Sequence, residues 1–204
     1  MSPSCLLILV SLAAEPEPLV DATTVVKDLK LDLRYATPDN FLKKKVYPDD
    51  AKCLLRTTAA AKLSKAADAL RAKGFRLQVY DCYRPRSVQW EMWKIFPKPG
   101  YVADPRTGSN HNRGAAVDLT LAKADGGEVE MPTPFDTFSE AAHHGYDGGT
   151  GLSRQNRETL RAAMEGAGFK RNRMEWWHYD LPDTKSYPVL DEPFSSAGKP
   201  GDKK

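Results

Sequence analysis

A single domain that mixes helices with strands is what this sequence predicts, and three observations carry that reading. The chain has 204 residues, 41% of them hydrophobic and 28% charged, a length and balance suited to one domain with its own core. Between Arg56 and Lys73, Ala59, Leu63, Ala66, Ala67 and Leu70 recur at helical spacing, and Gly74 stands where a helix stops. Directly afterwards, Phe75 to Asp81 alternates with period two, as a strand does.

The remaining elements follow in chain order. Cys5 to Ala13 is an apolar run too short to cross a bilayer as a helix. It reads as a signal-peptide core, with Ser11, Ala13 and Ala14 as small residues for cleavage and Glu15-Pro16-Glu17-Pro18 opening a polar segment. Met1 to Ser4 carries no lysine or arginine, so a buried N-terminal strand, or a misassigned start codon, stays open as the alternative. On the first reading the protein is exported, to a periplasm or the medium; on the second it is cytoplasmic. No other long apolar run is present, which excludes a polytopic membrane protein.

Thr24 to Tyr35 alternates well enough to suggest an extended segment, and Thr37-Pro38-Asp39-Asn40 reads as a turn. Pro85 can start a helix through Trp93. The stretch from Lys98 to Asn112 is rich in Pro, Gly, Asp and Asn and reads as a loop; Ala115 to Leu121 reads as a buried strand leaving it. Ser153 is a candidate N-cap for a helix carrying Leu160, Ala163, Met164 and Ala167, stopped at Gly168. Met174 to Asp180 is expected as a last strand, and the chain from Pro182 onward as a wrapped or disordered tail.

The formal net charge is +3, with lysines and arginines scattered among acids, so no basic stripe marks a nucleic-acid partner. Of three cysteines, removal of the leader would leave Cys53 and Cys82. An even pair in an oxidising compartment suggests a disulfide, whose loop of about thirty residues would contribute roughly 2–4 kcal/mol. Two buried free thiols are the alternative. Neither cysteine sits in a CxxC pair, so a cysteine zinc site is not expected.

The four histidines are placed informatively. Ser109-Asn110-His111-Asn112-Arg113-Gly114-Ala115-Ala116-Val117-Asp118 sets a histidine and an aspartate seven apart. In one unbroken strand that odd spacing would put them on opposite faces; Gly114 lets the chain turn first and brings both to one point. In Glu175-Trp176-Trp177-His178 a carboxylate precedes an imidazole by three. Two neutral imidazoles and one carboxylate fill three positions of a tetrahedral zinc and leave the fourth open, the arrangement of a catalytic site. His143-His144 lack a third ligand nearby and read as loop residues or as supports behind the site.

These motifs resemble the D-alanyl-D-alanine dipeptidases of the VanX type. Ser109-x-His111-x-x-Gly114-x-Ala116-x-Asp118 is similar to that family's first metal motif and Glu175-x-Trp177-His178 to its second. Tyr80-Asp81-Cys82-Tyr83-Arg84-Pro85 resembles its arginine segment, Phe135 to Glu140 its substrate-side loop, and Leu33-Arg34-Tyr35-Ala36 its early motif. The resemblance implies an α+β fold in which a small antiparallel sheet carries the site and helices pack around it. It implies one zinc ion per chain held by His111, Asp118 and His178, Glu175 as general base and later proton donor, and Arg84 as the cation for the developing oxyanion. Ser109, Tyr35 and Asp136 become candidates for holding a small D,D-dipeptide, Asp136 through the substrate ammonium. Residues 1–14 would then be a leader, 15–183 the catalytic domain and 184–204 a tail.

Plainer readings stand beside these. Arg84 has Asp81 as a potential ion-pair partner, Tyr35 and Asp136 could equally be structural, and Trp176 and Trp177 could both be core or could divide, one ring in the core and the other lining the pocket. Two functional rivals also stay open: a peptidoglycan carboxypeptidase or endopeptidase with the same chemistry in an open groove, and a zinc-stabilised binding module. A purely structural metal requires neither Glu175 nor Arg84.

Overall fold

The computed structural model describes residues 17–195; the leader read at residues 1–14 and the last part of the tail, 196–204, lie outside the described residues. The elements are β1 (Leu19–Asp21), α1 (Ala22–Val25), β2 (Lys30–Leu31), β3 (Leu54–Arg56), α2 (Thr57–Arg71), β4 (Phe75–Asp81), α3 (Arg86–Ile95), β5 (Ala116–Lys123), α4 (Gly151–Gly166), β6 (Lys170–Arg171) and β7 (His178–Asp180). They form an α+β fold. β1 and β3 make a two-stranded antiparallel sheet, and a second sheet runs in the order β2-β4-β5-β7-β6, antiparallel except for the β2–β4 pair.

The larger sheet is covered on both faces, which is why β5 is buried along nearly its whole length. Leu77 and Val79 of β4 and Val117, Leu119 and Leu121 of β5 join Leu63 and Leu70 of α2 and Leu160 and Met164 of α4 in the main core. Each such side chain contributes about 1.5–3 kcal/mol by leaving water. A second cluster, with Leu19, Tyr35, Tyr47, Leu54, Tyr83, Met92 and Phe194, forms a separate core. Phe194 belongs to the tail, which wraps as far as the described residues go: Leu190 N–H donates to the Asn112 carbonyl at 2.8 Å and Arg86 N–H to the Leu190 carbonyl at 3.2 Å.

Three expectations are corrected. Thr24 to Tyr35 is not one extended segment: the Asp21 carboxylate accepts from Thr23 N–H and caps α1, only Lys30–Leu31 pairs as a strand, and Arg34–Ala36 is a 3-10 turn. Ser153 is not the N-cap of α4; the Thr150 hydroxyl is, accepting from Ser153 N–H at 3.0 Å. The last strand begins only at His178, because Trp176 N–H is committed to the Ala142 carbonyl and His178 N–H to the Glu175 carbonyl.

His144 is buried with both ring nitrogens unpartnered, its ring edge-on to Tyr179. Burial, with Arg171, Arg157 and Arg161 nearby, pulls its imidazole down to about 3. An unfolded histidine takes up its proton near pH 6.5, so the folded state is fully favoured above that pH and loses this contribution as the pH falls toward 3, by a few kcal/mol at most. His144→Leu is expected to flatten the acid side of the stability profile, read as urea midpoints between pH 7 and pH 4; an unchanged profile would contradict this.

Candidate metal centre

Three neighbouring strands set the site. Asp118 of β5 pairs across the sheet with His178 of β7 on one side and Asp81 of β4 on the other. Val79 pairs with Leu119, yet Asp81 pairs with Asp118. This one-residue shift at Tyr80 is a bulge that turns Asp81 from the core face onto the site face. His111 reaches the same point from the loop before β5. It opens a 3-10 turn, His111–Arg113, which ends at Gly114 with φ +66°. That left-handed conformation suits glycine, and a Cβ at 114 would meet Leu19 Cδ2 at 2.3 Å. Gly114→Ala is therefore expected to cost about 2–4 kcal/mol of stability from backbone strain and overpacking together, read by denaturant unfolding; a change below half a kcal/mol would contradict the placement.

His111, Asp118 and His178 offer ligand atoms that all lie within 4.8 Å of one another. His111 Nε2 is 3.2 Å from His178 Nδ1 and 3.3 Å from Asp118 Oδ2, and His178 Nδ1 is 2.9 Å from Asp118 Oδ1. Donors of a tetrahedral zinc at about 2.0–2.1 Å stand about 3.3 Å apart, so the three atoms fit one face of such a tetrahedron. The outer partners fix the tautomers. His111 Nδ1 donates to the Cys82 carbonyl at 2.7 Å and His178 Nε2 to Asp180 Oδ1 at 2.9 Å, which turns the remaining lone pair of each ring toward Asp118. A carboxylate between two ring nitrogens calls for a positive charge among them, supplied by a metal ion or by a shared proton. The residues fit a metal ion.

The charges agree. Burial raises Asp118, but His111 and His178 overcome it and hold the carboxyl well below its usual range. Burial lowers His178, and Asp180 and Asp118 more than offset that. Asp180 is a supporting residue that the sequence reading missed, although its spacing of two from His178 in a strand puts both on one face. Asp180→Ala is expected to weaken metal binding about 10- to 100-fold, measured by chelator competition; unaltered affinity would remove Asp180 from the site.

The remaining candidates line the same cavity, of about 190 Å³, whose walls include Tyr35, Arg84, Ser109, Asp136, Glu175 and Trp177 beside His111, Asp118 and His178. A wider groove of about 1210 Å³, beside His144 and Arg171, shares Asn172 and Asp180 with the surroundings of the centre and includes none of its three donors. Glu175 precedes β7 in a turn; burial raises its carboxyl to about 7, the nearby imidazoles opposing. Asn172 Nδ2 donates to Glu175 Oε2 at 2.6 Å, a contact that no sequence pattern signalled. Arg84 donates to Asp81 Oδ2 through Nε at 3.1 Å and Nη2 at 2.5 Å, and through Nη1 to Gln89 Oε1 at 2.7 Å. The ion pair with Asp81 and a place at the cavity are therefore both true of it.

Tyr35 OH donates to the Asp136 carboxylate at 3.2 Å, and Asp136 holds a left-handed φ of +60°, a strained conformation of the kind that gathers at functional sites. Burial, then Asp118, pushes the Asp136 carboxyl well up. Ser109 Oγ accepts from His111 N–H at 3.2 Å. Trp177 lines the cavity, whereas Trp176 lies away from it and donates to Thr133 Oγ1 at 2.9 Å. Cys53 and Cys82 are joined by a disulfide, with Cα atoms 5.1 Å apart.

Comparison with known proteins adds the lineage. The sequence profile of the D-Ala-D-Ala dipeptidases matches residues 15–199. The chain belongs to the D-Ala-D-Ala dipeptidase family. Among its relatives, the D-alanyl-D-alanine dipeptidase of Escherichia coli (strain K12) is 39% identical over 183 residues, covering 90% of this chain and 94% of that protein. Those of Enterococcus faecium and Enterococcus faecalis (strain ATCC 700802 / V583) are 36% and 37% identical, covering 80% and 78% of this chain and 91% and 89% of their own. Membership makes this chain a peptidase whose His–Asp–His cluster stands where a metal can bind. No helix among the described residues is long and apolar enough to cross a membrane.

Proposed function

We propose that this protein is a zinc-dependent dipeptidase that hydrolyses D-Ala-D-Ala to two D-alanines. The observation that carries the proposal is the convergence of two imidazole lone pairs and one carboxylate on a single point, with Glu175 and Arg84 on the walls of the same small cavity. One zinc ion held there by His111, Asp118 and His178 would supply a Lewis acid for the scissile carbonyl and make water acidic enough to attack near neutral pH.

The chain's own groups do the rest. Glu175, with a proton affinity raised by burial to about 7, takes a proton from the attacking water and returns it to the leaving amine. Asn172 holds Oε2 of that carboxylate and leaves Oε1 for the transfer. Arg84, braced by Asp81 and Gln89, presents a fixed guanidinium to charge that develops on the carbonyl oxygen. Asp136, positioned by Tyr35, accepts the substrate ammonium, and the Ser109 hydroxyl donates to a substrate oxygen.

Cavity size supports the substrate class. A volume of about 190 Å³ falls below the range of roughly 300–1,000 Å³ that takes drug-sized ligands, and it suits a two-residue substrate rather than a polymer. The cystine supports work in an oxidising compartment, in keeping with export. The test is a comparison of D-Ala-D-Ala with a tripeptide ending in D-Ala-D-Ala. Release of D-alanine from the dipeptide at least a hundredfold faster is expected; comparable cleavage of the tripeptide would move the function to trimming of wall peptides.

A further inference from the structure

The disulfide has a place in the site that its stabilising role does not explain. β4 ends at Asp81 and α3 starts at Arg86, and the four-residue connection between them carries two atoms that act on His111. The Cys82 carbonyl accepts from His111 Nδ1 at 2.7 Å, and Arg84 N–H donates to the His111 carbonyl at 3.2 Å. The connection is held toward β3 by a backbone hydrogen bond, from Tyr83 N–H to the Leu54 carbonyl at 2.9 Å, and by the cystine to Cys53; elsewhere Asn112 Nδ2 donates to the Arg84 carbonyl at 2.8 Å and Tyr83 OH to the Glu192 carbonyl at 2.9 Å. Cys53, directly before β3, is in turn fixed by Ala22 N–H, which donates to its carbonyl at 2.8 Å. On the other side the Asp81 carboxylate accepts from Cys82 N–H at 2.9 Å and from Tyr47 OH at 2.7 Å. Both sulfurs are buried, Cys53 at 0% and Cys82 at 1% exposure.

We infer that the Cys53–Cys82 cystine is a positioning element of the metal centre: by tying residue 82 to β3 it fixes the carbonyl that sets the tautomer and ring direction of His111. The inference rests on the metal reading proposed above and deepens it. Partners that orient a ligating histidine govern metal affinity, and here that partner is a backbone carbonyl, which no side-chain substitution can remove but which loss of the cross-link loosens. The complete centre is thus a property of the oxidised chain.

The test compares zinc affinity, by chelator competition well below the melting temperature, in three full-length proteins: the oxidised wild type, Cys53→Ala/Cys82→Ala, and Leu70→Ala. Leu70 is fully buried on α2 in the main core, and its truncation destabilises the fold without touching the site. The double variant is expected to bind zinc about tenfold or more weakly, and Leu70→Ala within twofold of wild type. Equal losses in both variants, or none in the double variant, would overturn the inference. Should the double variant fail to fold, wild type reduced in denaturant and refolded with a phosphine reductant serves instead: a tenfold loss supports the inference and an unaltered affinity overturns it. Failure of the oxidised wild type to bind zinc would overturn the metal reading itself, a result distinct from tight binding by all three proteins.

Discussion

Glu175→Gln is expected to lower kcat for D-Ala-D-Ala roughly a hundred- to ten-thousandfold, the range that a positioned general base supplies, while zinc content stays at that of wild type. The amide keeps the shape of the carboxyl and an oxygen for Asn172 Nδ2 to meet, so the turn before β7 should hold and His178 should keep its direction. What is lost is a group able to accept a proton. The comparison therefore separates the proton carrier from the metal ligands, whose loss would empty the centre. A kcat within tenfold of wild type, with full zinc, would remove Glu175 from its assigned role.

Arg84→Lys is expected to cost about a hundred- to a thousandfold in kcat with little change in KM. Arg84 is held by Asp81 and Gln89, and its guanidinium lies over the ring of Tyr35 at 5.1 Å. Burial disfavours its charge, but the Asp81 carboxylate reverses that and holds it firmly protonated. A lysine keeps a charge for the buried Asp81 but offers no fork to hold Gln89 as well, so the cation loses its fixed direction. A donor that matters only when the oxyanion forms shows itself in kcat and in kcat/KM equally. A raised KM with unaltered kcat would make Arg84 a binder of ground-state substrate instead.

The parts of the fold that the sequence announced are those with strong local periodicity. Both long helices and the strand from Phe75 to Asp81 formed where spacing placed them, because their apolar faces are also the faces of the main core. The misplaced elements turn on single hydrogen bonds. Asp21 caps a helical turn inside an alternating pattern, and Thr150 takes the cap that Ser153 could equally have offered. Trp176 and His178 spend their backbone N–H groups on Ala142 and Glu175 before a strand can begin.

The site was legible for a related reason. Gly114 resolves the odd spacing between His111 and Asp118 only if the chain turns there, and its φ of +66° is that turn. The bulge at Tyr80 was not visible, since it depends on register between β4 and β5 rather than on composition. Asn172, Gln89 and the Cys82 carbonyl were hidden for the same reason: each acts through a contact made after folding. The disulfide was readable as an even pair, but the contact of the Cys82 carbonyl with His111 was not.

The most direct measurement is a zinc titration of metal-stripped protein with D-alanine release from D-Ala-D-Ala as the readout. The account predicts no release from the stripped protein, a linear rise with added zinc and a plateau at one equivalent per chain, the stoichiometry of a single His111–Asp118–His178 centre. Release undiminished by stripping, or a plateau at two equivalents, would contradict it.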